Sequence, residues 1–297
     1  MSISRMEAFF QGYNPYTGNP LTDGSRQAFN QASPRPQQDR EGYYQGQPQD
    51  TVTSQVNPQE VLDPLYQAQN ELGKAKAGIN KVRQYWNNVQ REVNSAYTQT
   101  NRTSNDLYPA ENDTEETDNS RTGQYANNSL DQIERQLDRL RYDSSNPSYA
   151  IYEIKSQLSN AQSHLSRVDA SRLPNPYRQK EAIRNLSDFQ SQIYRIESAQ
   201  QQLEQKLGGL QTPIGSARND LNTVTRDAEG VNVSYQARSA RGNLNTLSQQ
   251  LQQIDQHLRY SDGDLTQAEA SAYSAEQNVE TAYQDYQYNW RTSDHSL

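Results

Sequence analysis

Proton transfer near neutral pH and transition-metal binding fall most readily to histidine, and this chain has three, His164, His257 and His295. None has a second metal-binding side chain one helical turn away, and His164 and His257 each stand one residue before an apolar member of a regular repeat, Leu165 and Leu258. That placement predicts residues flanking a buried stripe rather than ligands or general bases. Cysteine is absent, which excludes disulfides, thiolate metal sites and a thiol nucleophile without fixing a compartment. The chain carries no glycine-rich phosphate loop, His-Glu metal motif or nucleophile elbow. Gly208-Gly209 lacks the preceding strand and the lysine of a phosphate cradle and reads as a helix break. Asp106, Glu111, Asp113, Glu115, Glu116 and Asp118 crowd one stretch without the ligand order or central glycine of a calcium loop, so they predict a solvated connector. Asn-x-Ser/Thr triplets at Asn101, Asn112, Asn127, Asn185 and Asn232 are what a chain rich in these residues yields by chance. The expectation is a non-enzymatic protein with no catalytic residues, no cofactor and no metal.

Binding chemistry is better represented. Tyrosine outnumbers the other aromatics, 20 against Phe 4 and Trp 2, and its apolar ring with a polar tip suits the rim of a bundle or a wet protein interface better than a dry core. Two clusters are candidate partner-binding sites: Phe9, Phe10, Tyr13 and Tyr16 near the N-terminus, and Tyr283, Tyr286, Tyr288 and Trp290 near the C-terminus. The first is either an anchoring peptide that docks on a neighbouring subunit or a few stray aromatics in an arm. The second is either a contact patch for another subunit or the cap of a bundle end.

Composition restricts what can position these groups. Only 32% of the 297 residues are hydrophobic, against roughly 45–50% (glycine included) in globular domains, and mean hydropathy is -1.14. So few apolar residues cover a narrow stripe on each element, which suits long thin bundles. Lys+Arg 28 against Asp+Glu 36 gives a net charge of -8 without a basic cluster, so a phosphate-binding surface is not expected and nucleic acid is not a predicted partner. Neither a signal-peptide stretch nor a transmembrane run of apolar residues occurs, which predicts a soluble chain without membrane insertion. Localisation stays open, with scarce Lys and abundant Gln, Asn, Ser and Tyr leaning towards an extracellular or particle-associated setting.

Residues 1–56 are rich in Gln, Pro, Gly, Asn and Tyr and read as a flexible or extended N-terminal arm. From 57 to 297 four heptad-spaced stripes follow. The first holds Leu65, Leu72, Ile79, Trp86 and Val93 with Val61, Ala68, Ala75, Val82, Val89 and Ala96 between them. The second holds Leu130, Leu137, Ile151, Leu158 and Leu165 with Ile133, Leu140, Ile154, Ala161 and Val168. The third holds Leu186, Ile193, Leu207, Ile214 and Leu221 with Phe189, Ile196, Leu203, Leu210, Ala217 and Val224, and admits one polar member, Gln200. The fourth runs from Ala237 through Leu244, Leu251, Leu258, Leu265, Ala272 and Val279 to Tyr286. Start signals at Asn57-Pro58-Gln59-Glu60, Ser129-Leu130-Asp131-Gln132 and Asn175-Pro176 place helices at about 58–101, 128–172, 176–229 and 234–291, with an acidic connector over 102–127. Interruptions at Asp143 to Pro147, Gly208 to Gly215 and Ser261 to Asp264 either kink continuous helices in a shared zone, to which Gly73 and Gly78 of the first helix belong, or turn the chain into shorter ones.

The predicted fold is all-α: an elongated antiparallel helical bundle or coiled coil with mid-helix breaks, preceded by an irregular arm. The function this implies is that of a structural subunit of a larger assembly, such as a filament, sheath, surface layer or virus particle. It would act through helix packing and the N-terminal arm, with copies of itself or other subunits as partners. The alternative is a secreted or surface helical bundle, an effector or adhesin, that docks on a protein partner.

Overall fold

A computed structural model describes residues 57–112, 118–143, 145–227 and 231–294. The arm and its cluster Phe9, Phe10, Tyr13 and Tyr16 lie outside the described residues. Helix makes up 92% of what is described, and no strand occurs among those residues, so the chain is all-α. The helices are α1 (Gln59–Asp106), α2 (Tyr108–Glu111), α3 (Ser120–Asp143), α4 (Ser145–Arg167), α5 (Pro176–Gly209), α6 (Gln211–Val224) and α7 (Ser234–Asp294), with one 3₁₀ turn at Ala170–Arg172.

These helices form four columns that run up and down. Along α1 the partners on α7 descend as the α1 numbers rise: Lys76 meets Glu276, Arg83 meets Glu269, and Ser104 meets Asn245. In the same sense α1 opposes α3 and α4 through Gln99 to Gln132 and Lys81 to Glu153. The α3–α4 column opposes α5–α6 through Ser148 to Glu204, Lys155 to Glu197 and Asp131 to Arg218. Finally α7 opposes α5–α6 through Arg178 to Asn278 and Ser239 to Asp220. Every apolar residue named on the four stripes is buried, and so is Gln200. A narrow stripe on each of four helices closes a core when all four stripes face one axis, which is how a polar chain buries its few apolar side chains.

Several boundaries differ from the sequence reading. The first helix continues to Asp106 because its stripe continues in polar disguise: Thr100, Thr103 and Ser104 are buried, with Thr100 and Thr103 donating to the carbonyls of Ala96 and Gln99 at 2.7 and 2.9 Å. Such back-bonding within the helix satisfies a hydroxyl at a core position. The second column begins at Ser120, where α3 starts, not near 128; Ser129 is mid-helix, and the capping group is Asp118, whose Oδ1 accepts from the Ser120 amide at 2.8 Å. Ser120, its side chain foremost, holds the Asp118 carboxyl below the usual range. Most of the expected connector is therefore helical. At the other starts Asn57 and Asn175 accept from the amides of Gln59 and Tyr177 at 3.1 and 3.2 Å.

The expected interruptions do not share one outcome. Through Ser261 to Asp264 the α7 helix is unbroken: Ser261 is buried and donates to His257 O at 2.8 Å, and a lone helical glycine costs only about 1 kcal/mol. The break at Leu210 is real but keeps its column in line, whereas residue 144, where the first interruption was expected, lies outside the described residues. Near Leu210 the Leu207 carbonyl accepts from Arg141 Nε and Nη2 at 3.1 and 2.9 Å, and Leu140 O accepts from Tyr85 at 3.1 Å. Gly78 lies in an unkinked stretch of α1, where a Cβ would meet Ile154 Cγ1 at 2.5 Å; it permits close helix approach rather than a bend.

Candidate functional site

The bundle interior holds polar groups at few levels, and the most connected lies near the break at Leu210. Trp86 Nε1 donates to Gln200 Oε1 at 2.9 Å across the core, Gln200 Nε2 donates to Glu204 Oε1 at 3.1 Å, and Ser148 donates to the same oxygen at 2.9 Å. Three columns are thus tied at one height. A buried pair of this kind penalises any axial slip that would separate its members, so its chemistry is register, not catalysis. Trp86→Phe and Gln200→Leu should each cost about 1–3 kcal/mol in urea unfolding, because each strips the other of its partner. The double variant should be less destabilised than the sum of the two by about 1 kcal/mol.

His164 and His257 do not form a site, and His295 lies outside the described residues. His257 Nε2 lies 2.9 Å from Ala199 O on α5, so it bridges two columns instead of merely flanking a stripe. Among the described residues no cluster of three or more His, Asp or Glu is placed to hold a metal, and no described helix is long and apolar enough to cross a membrane. Asp255 accepts from Gln90 at 2.8 Å and from Arg259 at 2.7 Å. Burial opposes its ionisation, but these donors together with Asn94 hold its carboxyl below the usual range, as befits a bridge between α1 and α7.

The C-terminal aromatic cluster separates into two pairs. Tyr286 is 8% exposed, on the stripe seven residues after Val279, and Tyr283 packs partly buried against the core. The four residues therefore do not form one exposed patch. Tyr288 and Trp290 face outward, 71% and 41% exposed. Eleven further tyrosines that motif reading did not single out are exposed along the columns, among them Tyr142 and Tyr260 at 85% each and Tyr149, Tyr152, Tyr177 and Tyr194. Their signal was present in the sequence by subtraction: once the stripes are assigned, these tyrosines fall off them.

Some of these rings lie against cations. Lys155 Nζ is 4.8 Å from the Tyr194 ring centre, Lys76 Nζ 5.7 Å from that of Tyr273, and the Arg241 guanidinium 5.3 Å from that of Tyr108. At the end where α1 begins, Arg172 Nη1 contacts Glu60 Oε2 at 2.6 Å, and the Glu60 hydrogen bond raises the guanidinium above its ordinary value. Beside that contact the outer face between α4 and α5 has a depression lined by Ala170, Pro176, Tyr177 and Ile183. A separate one farther along is lined by Leu158, Ser159, Gln162, Gln190, Ile193 and Tyr194, where Gln190 Nε2 donates to Gln162 Oε1 at 3.1 Å across the two helices.

The class defined by this geometry is an up-and-down helical bundle of four columns with a tyrosine-studded exterior. No protein-family model matches the chain, and comparison with curated proteins finds no match.

Proposed function

We propose that this protein is a non-enzymatic structural subunit that joins a larger assembly through its outer aromatic surface and its N-terminal arm. The observation that carries the reading is the partition of side chains in the bundle. Mostly aliphatic residues fill the four stripes, while among the described residues twelve exposed tyrosines and Trp290 stand on the outside. Rigid aromatic rings with a hydrogen-bonding tip give contact area at little entropic cost, which is why they concentrate at protein interfaces. A long column adds repeated sites along one axis; α7 alone, with 61 residues, is about 90 Å long. Weak contacts repeated along such a length reinforce one another.

The arm takes part in the same reading, since Phe9, Phe10, Tyr13 and Tyr16 supply apolar area that a purely solvating tail would not need. Deleting residues 1–20 should leave helicity and melting temperature unchanged while lowering self-association in multi-angle light scattering. Loss of the bundle on deletion would make the arm part of the core. A full-length chain that stays monomeric at every concentration would favour the docking protein, an effector or adhesin, over the assembly subunit.

A further inference from the structure

We propose that the outer face of α7 is the contact surface for a second copy of this chain, the two α7 helices lying antiparallel about a twofold axis between Gly263 and Gln267. The inference rests on the assembly reading above and names the surface and the partner through which it would work.

Seven-residue steps place two lines of residues on the side of α7 turned away from the bundle, one from Gly242 to Gln284 and the other from Thr246 to Tyr288. Their members are exposed, except Ser274 and Thr281, which are half-buried. Neither line holds a charged residue over about 70 Å of helix, whereas the outermost line of α1 carries Asp63 and Arg91 and that of α5 carries Arg184. The solvent face of an amphipathic helix ordinarily carries charge. The acidic residues of α7 are drawn sideways instead. Glu269 and Glu276 pair with Arg83 and Lys76 on α1 at 2.8 and 2.7 Å, Asp255 accepts from Gln90, and Asp264 faces Arg195 on α5 at 3.9 Å. A chain of net charge -8 thus presents to its own copy a face on which like charges do not meet.

Gly242 and Gly263 stand on this face inside an unbroken helix. A Cβ at either would meet nothing within 4 Å, and both are helical. Neither the packing of the bundle nor a turn therefore accounts for glycine, which lowers helix stability relative to alanine. Close approach of a second helix from outside accounts for both.

The order of side-chain sizes identifies that helix. In an antiparallel pair centred between Gly263 and Gln267 these two oppose each other, Tyr260 of one copy opposes Ala270 of the other, and Tyr288 opposes Gly242. Both tyrosines of the face then fall on small residues. Gln256 meets Ser274 and Gln253 meets Gln277, pairs whose amides can donate and accept together. Sliding one copy by two turns sets Tyr288 against Gln249 or against Tyr235, where two large side chains collide. Each favourable pair occurs twice, as an isologous contact requires. With the neighbouring line from Asn245 to Gln287, about 20 residues a side come into reach, the number that accompanies roughly 800 Å² per partner in stable complexes.

Because the protein has no cysteine, thiol cross-linking on the full chain reports on introduced positions alone. Gln253→Cys and Gln277→Cys chains carrying different mass tags are mixed and treated with a short bifunctional thiol reagent, and each chain is also treated by itself. Like positions lie about 36 Å apart in the antiparallel pair, so the mixed covalent dimer should exceed either homodimer by at least about tenfold. Equal yields overturn the proposal, and so does cross-linking of Gln253→Cys to itself, the mark of a parallel pair. Gly263→Arg supplies the second arm. It sets two like charges near the axis and should lower the self-association constant by at least about tenfold in light scattering, while Gln84→Arg on the outer face of α1 leaves it unchanged. Arginine is also the better helix former, so the melting temperature of the dilute Gly263→Arg chain should not fall; a fall would assign the glycine to the bundle and overturn the proposal. Self-association that survives Gly263→Arg removes the α7 face and keeps the assembly reading, whereas an unmodified chain that is monomeric at all concentrations removes both.

Discussion

Leu203→Asp is expected to unfold the bundle far more readily than Gln202→Asp. Leu203 is fully buried on the α5 stripe, and its neighbour Gln202 is exposed. The first substitution removes an aliphatic side chain from the core, worth about 2–5 kcal/mol on its own, and leaves a carboxylate there without a partner, which adds a desolvation cost. The total of about 4 kcal/mol or more should lower the melting temperature by about 10 °C in a chain of this length. Gln202→Asp costs only helix propensity, a few tenths of a kcal/mol. Circular dichroism melts of the two full-length variants, run side by side, check this. Equal midpoints would mean that α5 turns a different face to the core.

Gly123→Leu should be nearly as damaging, and for a reason no side-chain trimming can relieve. A Cβ at Gly123 would lie 2.5 Å from Thr225 N and 2.7 Å from Val224 C, both backbone atoms at the end of α6. The start of α3 must then move away, and with it the amide of Asn119 that donates to the buried Asp227 Oδ2 at 2.8 Å. Overpacking against backbone costs about 1–3 kcal/mol, and losing a hydrogen bond to a buried carboxylate adds about 1.5–3 kcal/mol. Gly78 supplies the contrast, since there the clash is with the Ile154 side chain. Gly78→Ala should destabilise the native chain yet stabilise an Ile154→Ala background, where the space is free and alanine's helix propensity, about 1 kcal/mol over glycine, is all that remains. Chemical denaturation of the four Gly78 and Ile154 combinations gives the sign directly. Destabilisation by Gly78→Ala in both backgrounds would show that α1 cannot approach α4 this closely.

Much of the core was legible because helix periodicity and burial are the same information in a bundle. A residue seven positions from Leu65 or Leu158 must face the same way, so the stripes were available without coordinates. Legibility failed where the stripe is written in polar or minimal residues. Thr100, Thr103, Asn119 and Gly123 occupy stripe positions around the expected connector, and a hydropathy pattern counts them as loop. It failed again at Ser261 to Asp264, where a composition suited to turns is held helical by the continuing burial of Leu258 and Leu265, because tertiary packing outweighs about 1 kcal/mol of local preference. For the candidate binding residues, the sequence grouped Tyr283, Tyr286, Tyr288 and Trp290 by proximity along the chain, whereas in α7 Tyr286 falls on the buried stripe with Tyr283 beside it and Tyr288 falls off it.

By itself, then, the amino-acid order determined that this protein is helical, which residues of each helix turn inward, and that no concentrated catalytic or metal-binding motif accompanies them. These follow from local steric preferences and from the period of apolar side chains, both of which act within one helix. Only the tertiary structure decided that the four columns align in the order α1, α3–α4, α5–α6, α7, that Trp86 and Gln200 meet across the core, and that Gly123 touches the backbone of α6. It alone decided, too, that a depression lies between the end of α4 and the start of α5 beside the start of α1. Each of these depends on pairs far apart in the chain, whose meeting is set by the joint packing of four stripes rather than by any segment's own pattern.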